Sequence, residues 1–311
     1  MLCVINESVG TITKEEFDAN QLTLGCVTLA ELEELHEALG LLEESVWECM
    51  RPTLNFRDSY CVMEDYLFST FHLVNVADIM GSNERIALFV KAKLCLVVLL
   101  SDEKDQIQVL FEETLEDLVK KEASVGRFLY LFFSKRVRGD NVVLENIEFE
   151  LDLLEETIVA KTVEEDFTFE LLAKKRELYV LRNYYEQLVE FGELLWEDEL
   201  ELFSIGSMKY IRLLNGKFSR LKENTTVLRE NLCQLREAYQ SYLDYSLNYI
   251  MKVFTVVTTV FSPLSLIVGW YGMNFSSMPE LTWKYGYFFV IFISVLTLIV
   301  CYWFFKKKKL I

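Results

Sequence analysis

The sequence predicts an α+β soluble body that passes through a long stalk helix into two C-terminal transmembrane helices. Three observations predict it. Two membrane-length stretches are free of charge, the 19 residues from Val253 to Tyr271 and the 21 from Tyr285 to Phe305, and about 20 apolar residues cross a bilayer as a helix. Upstream of them, apolar positions recur at alternating three- and four-residue steps from Ile211 to Ser246, the mark of a helix packed along its length. Before residue 137, short β-rich runs alternate with amphipathic helices; after it the pattern is nearly all helical.

Residues 1–136 read as a small α/β domain. Val4–Ile5 and Thr11–Thr13 are weak strands. Thr28 is placed to cap a helix running through His36, with Glu31 at the capping-box position, and a second helix is expected over Leu41–Met50. The runs Tyr60–Met63, Tyr66–Val76, Arg85–Val90 and Lys93–Leu100 are rich in β-branched and aromatic residues, the last two joined by a short turn as a hairpin. Helices are expected over Asp105–Lys121 and Val125–Arg136. Residues 137–206 form a long acidic helical hairpin, Asn141–Ala160 with Phe169–Trp196.

The stalk occupies residues 207–252. Its seam is Ile211, Leu214, Phe218, Leu221, Thr225, Leu228, Leu232, Leu235, Tyr239, Tyr242 and Ser246. Gly216 is its weak point, and Pro263 falls inside the first span. An unbroken helix from Met208 to Tyr271 is about 96 Å long at 1.5 Å per residue. So long a helix with a heptad seam predicts oligomerisation through that seam. The first transmembrane helix is 253–272, an external loop 273–284, the second transmembrane helix 285–305, and a basic tail 306–311.

Charge is divided unevenly. The net charge is −17, yet residues 251–311 hold six lysines against one acid, Glu280, leaving 25 basic and 47 acidic side chains in residues 1–250. Such a body does not suit nucleic acid, whose affinity comes from phosphate neutralisation. Most of those acids simply solvate a surface. The seven cysteines lack any CxxC pairing, which points to a reducing compartment. No signal peptide is expected at Met1–Gly10. Lys306–Lys309 follow the second span directly, so the positive-inside rule places that end, and with two spans both termini, in the cytosol of a cell-membrane protein. Enzyme signatures are missing: His36 and His72 have no zinc-site company, and there is no P-loop, GxSxG or GxGxxG. No cofactor is expected.

The first span carries a narrow stripe. Met251, Thr255, Thr258, Ser262, Ser265, Gly269 and Gly272 recur at steps of four, three, four, three, four and three, so small and hydroxyl side chains share one helix face. Such a stripe serves either close helix packing or the lining of a pore. Asn248 and Asn274 flank it, and two spans enclose a path only as a ring of copies.

Met251-Lys252-Val253-Phe254-Thr255, Pro263-Leu264, Tyr271-Gly272-Met273-Asn274-Phe275, Met278-Pro279-Glu280-Leu281 and the closing four lysines closely resemble the CorA family of magnesium channels. Upstream, Leu39-Gly40-Leu41, Arg51-Pro52, Glu64-Asp65-Tyr66-Leu67-Phe68 and the hairpin after Arg85 are similar too, more diffusely. The resemblance implies a homopentameric funnel in the bilayer passing divalent cations, magnesium and also cobalt. A zinc transporter of the same architecture and a non-conducting membrane scaffold are the alternatives. It implies a selectivity filter of Gly272, Met273 and Asn274, with Asn274 and Gly272 oxygens meeting the hydrated magnesium ion. Glu280 would form an electrostatic ring in the loop. Asn248, Met251, Phe254, Thr255, Thr258, Ser262, Ser265 and Gly269 would line the pore, with Met251 and Phe254 as an apolar gate. The family's acidic stalk segment is matched here by Tyr210-Ile211-Arg212-Leu213-Leu214-Asn215-Gly216, which has lost both acids. Asp78 stands near the partner acid of that regulatory metal site. Closure by cytosolic magnesium is therefore expected to be weaker, relocated or absent.

Overall fold

The computed structural model describes residues 1–5, 9–50, 60–81, 84–102, 105–120, 122–163, 166–273, 278 and 283–308. They fall into two units, Met1–Leu235 and Arg236–Ile311.

The first unit is built on a seven-stranded sheet: β1 (Leu2–Ile5), β2 (Val9–Ile12), β3 (Thr23–Thr28), β4 (Tyr60–Val62), β5 (Leu67–Leu73), β6 (Glu84–Val90) and β7 (Leu94–Ser101). Their order is β2-β1-β3-β7-β6-β5-β4. All neighbours are antiparallel except β3 and β7, which run parallel. The β6–β7 hairpin matches the sequence reading. Strand β3, an interior strand between β1 and β7, is absent from that reading. Both its faces are covered, so it shows a run of buried residues rather than alternation, and Gly25 interrupts its propensity. Gly25 pairs with Leu2 on one side and Leu96 on the other. A Cβ there would lie 2.7 Å from the Leu2 side chain and 2.6 Å from that of Leu96, so the two leucines close over the glycine.

The helices are α1 (Leu29–Leu35), α2 (Glu43–Met50), α3 (Gln106–Val119), α4 (Val125–Arg136), α5 (Asp140–Ala160), α6 (Phe167–Glu197), α7 (Ile205–Tyr271) and α8 (Gly286–Lys307). Thr28 and Glu31 form the capping box at α1. One core lies under α1 and α2, where Leu32, Leu41 and Val46 meet Phe68, Phe89, Leu96 and Val98. Residues two apart in a strand share a face, so Phe71, Leu73, Ile86 and Glu84 look the other way, toward α4 and α6.

The stalk seam has a different role from the one expected. Ile211, Leu214, Phe218, Leu221, Thr225, Leu228, Leu232 and Leu235 are buried within this unit by the chain's own helices. Phe133 of α4 and Gly192 of α6 both lie against Phe218, and Lys222 pairs with Glu186 of α6 at 3.6 Å. That stretch is satisfied without a second copy, so its heptad spacing is no argument for oligomerisation. Gly216 sits inside α7 without breaking it.

The second unit comprises the rest of α7, continuous through Pro263, and α8. Both helices are long and apolar enough to cross a membrane.

Candidate functional site

In the second unit α7 is divided around its circumference. Lys252, Val256, Val260, Pro263, Leu264, Ile267 and Tyr271 are half-buried. On α8, Val290, Ile293, Ser294, Thr297 and Cys301 are half-buried between the buried Gly286 and Phe305. Each set follows helical spacing, so on each helix the half-buried residues share one face. Ser294 and Thr297 donate to the carbonyls of Val290 and Ile293, both at 2.8 Å, which settles their hydroxyl protons inside an apolar interface.

The stripe of Met251, Thr255, Thr258, Ser262, Ser265, Gly269 and Gly272 is exposed. At about 100° per residue it lies roughly 160° around α7 from the half-buried face. Asn248 and Phe254 are exposed as well, and Met251 and Phe254 present 64% and 66% of their surface. One face therefore carries all the pore-lining candidates, and the hairpin partner does not cover it. The Thr255 hydroxyl donates to the Met251 carbonyl at 2.7 Å, and that of Thr259 to the Thr255 carbonyl at 2.7 Å. With its proton committed inward, the Thr255 oxygen offers lone pairs outward. That acceptor suits water molecules around a cation, which point their hydrogens away from it.

Gly272 ends α7. Its N–H donates to the Val268 carbonyl at 2.9 Å, and a Cβ on it would stand 2.9 Å from that same oxygen. The glycine is needed for this close backbone approach, because any side chain would meet main chain. Met273 is half-buried. Asn274 and Glu280 lie outside the described residues. Around Gly269 nothing among the described residues comes within 4 Å of a would-be Cβ.

Asp78 is exposed at the end of a 3-10 turn, Val76–Asp78, its carboxylate lying over Gly81. Among the described residues no group of three or more His, Cys, Asp or Glu side chains is placed to hold a metal ion. In the stalk segment lacking acids, Leu214 is buried while Leu213 stands 55% exposed.

The sequence motifs left one charged device of the body unmarked. Asp140 opens α5 at 3% exposure and accepts a 3.0 Å bond from the Tyr185 hydroxyl of α6. Burial pushes its carboxyl up to about 6, against the Tyr185 bond and the charge of Arg136, which both favour ionisation. A carboxylate at the first position of a helix and a tyrosine 45 residues away carry no linear signal of their meeting.

An acidic α+β body whose last helix runs on into an apolar two-helix hairpin defines an integral membrane protein. The family model described as "CorA-like Mg2+ transporter protein" matches residues 23–307, and the chain belongs to that family of divalent-cation transporters. The chain is 28% identical over 271 residues to the cobalt/magnesium transport protein CorA of Thermotoga maritima, covering 86% of this chain and 75% of that protein. It is 28% identical over 276 residues to the putative metal ion transporter YfjQ of Bacillus subtilis, covering 86% and 81%. The complete structure of the CorA magnesium transporter from Methanocaldococcus jannaschii superposes with a TM-score of 0.76 at 21% identity, over 98% of this chain and 96% of that one. The full-length CmaX protein gives 0.72 at 18% identity, over 98% and 96%.

Proposed function

We propose that the chain is a passive divalent-cation channel, best suited to magnesium, assembled as a homopentamer around five copies of α7. The observation that carries this reading is the division of α7: one face is half-buried, and the hydroxyl-bearing stripe opposite stands open along the whole span. Polar groups in lipid face other protein or a water-filled path. A ring of α7 helices gives them that path, with α8 outside. The number five rests on the family resemblance.

Magnesium holds its octahedral waters tightly, so a filter for it binds the hydrated ion through neutral oxygens. Gly272 carbonyls and Asn274 side chains supply such a ring, with Met273 between them. Carboxylates in that ring would hold the ion too strongly to release it. Glu280 instead gathers cations outside the mouth. Met251 and Phe254 form an apolar constriction that closes by losing its water. The acidic body lies in the cytosol, as Lys306–Lys309 require. The Thermotoga relative, named for cobalt and magnesium transport, supports the choice of ions.

The test is magnesium entry into proteoliposomes holding a magnesium-sensitive dye under an inside-negative potential. Fast entry by the native chain, abolished by Asn274→Ala, is the expected result. Entry unchanged by the substitution would remove Asn274 from the filter. No entry at any internal magnesium level would overturn the channel reading and leave zinc transport or a scaffold.

A further inference from the structure

Asp140 occupies a junction of several elements. It starts α5 directly after α4, and its carboxylate accepts the Tyr185 hydroxyl of α6 at 3.0 Å. Arg136, the last residue of α4, faces it electrostatically and ties the junction to the sheet, donating to Glu84 Oε2 of β6 at 3.1 Å and to the Val74 carbonyl at 2.9 Å. Tyr184 of α6, fully buried, adds a hydroxyl whose oxygen has no hydrogen-bond partner among the described residues. Its ring lies 5.1 Å from that of Tyr185. The 3-10 turn packed on α5 carries one charge, the exposed Asp78. His72 and Arg85 pair across β5 and β6 on the opposite face of the sheet. Arg136 is thus the cation facing Asp140, and it is shared with Glu84.

We propose that Asp140 is a proton-operated latch that fastens α5 to α6 when protonated and slackens that junction when ionised. A buried carboxylate facing a cation that is already paired is costly, whereas the neutral acid keeps its place beside Tyr185 without that cost. The direction follows from linkage. The carboxyl sits at about 6 in the fold against 3.8 when free, so the closed junction holds its proton more tightly than the opened one. The stabilisation is complete below the free value and is lost as pH rises through the folded one. Opening of the junction should be about four-fold more frequent at pH 7.5 than at pH 5.5, the ratio that linkage gives for those two values. The device gives the soluble body a response to acidity that does not depend on which ion the hairpin passes.

The experiment is hydrogen exchange of the full-length protein in nanodiscs at pH 5.5, 6.5 and 7.5, corrected for the intrinsic rate. It follows peptides spanning the start of α5 and residues 181–188 of α6. Protection should rise on acidification in the native protein and become independent of pH in Asp140→Asn. Tyr185→Phe removes the donor that favours the ionised form, so its transition should move to higher pH. It provides the reading if Asp140→Asn fails to fold. No change of protection with pH in the native chain, or the same change surviving in Asp140→Asn, overturns the latch.

Discussion

Phe218 of α7 meets Phe133 of α4 edge-on, with ring centroids 5.7 Å apart, planes at 89° and both rings buried. Phe133 also packs on Phe71 of β5 at 5.6 Å and on Phe191 of α6 at 5.6 Å. Sheet, hairpin and stalk thus share one aromatic cluster. A displacement of α7 at this level cannot occur without repacking the sheet face beneath it, because close-packed interiors shift between discrete arrangements rather than deform smoothly.

Phe218→Ala should therefore cost about 3–5 kcal/mol, the range for removing a fully buried aromatic ring. Leu213, five residues earlier and 55% exposed, should tolerate alanine within about 0.5 kcal/mol. Denaturant titration followed by circular dichroism separates the two. Equal effects would mean that the seam is not seated as described.

Arg127 is buried yet forms no ion pair with an acid of the described residues. Its guanidinium donates to the carbonyls of Asp117 at 3.1 Å, Leu118 at 3.1 Å and Glu122 at 2.9 Å, closing the C-terminal end of α3. Arg127→Met keeps the stem and leaves those carbonyls without their donor, at a cost of about 2–4 kcal/mol. Arg127→Lys should recover part of it, since one ammonium does not reproduce the planar fork. The readout is the same titration.

The parts of the fold legible in sequence are those where one residue's environment is local. The Thr28–Glu31 cap, the β6–β7 hairpin and the two spans are set by side chains near one another in the chain. Strand β3 was hidden because a strand covered on both faces has no period of two, and its Gly25 answers to Leu2 and Leu96 in neighbouring strands. The seam from Ile211 was visible, but spacing alone says that a face is covered and not by what. Here the cover is Phe133, Gly192 and Glu186 of the same chain. At the site, the stripe on α7 was legible as a period. The uncovered state of that face depends on where α8 lies, which no stretch of α7 encodes.

Asp117 accepts from Lys120 at 2.6 Å and from Lys135 of α4 at 2.8 Å. The Lys120 bond first, then the bond and charge of Lys135, hold its carboxyl down to about 2. A lowered carboxylate stabilises the fold above its free value and loses that contribution as pH falls through the folded one. The α3–α4 link should hold at neutrality and weaken between roughly pH 4 and pH 2. Asp117→Asn should flatten that part of the acid-unfolding curve while changing stability at pH 7 slightly, because exposed pairs are worth little. An unaltered acid limb in the variant would show that the pair does not act in solution.

The two glycines at the end of α7 separate a pore-facing stripe from a packed one. At 272 a Cβ would press on the Val268 oxygen at 2.9 Å. Gly272→Ala must therefore distort the last helical turn whatever surrounds it, and if the proposed filter includes the Gly272 carbonyl, flux should fall by at least about ten-fold. At 269 the chain leaves a Cβ free space, so Gly269→Ala should not alter the single chain. Any effect of that substitution comes from a neighbour. If copies of α7 touch through their small residues, the added methyl pushes them apart and the assembly should dissociate on size exclusion with light scattering. If the stripe borders a water-filled path, the assembly should remain intact while conductance changes modestly, within about three-fold, since one methyl narrows a hydrated pore little. Loss of assembly would assign the stripe to helix packing and move the ion path off this face. Retention of assembly with altered flux would place Gly269 on the path itself.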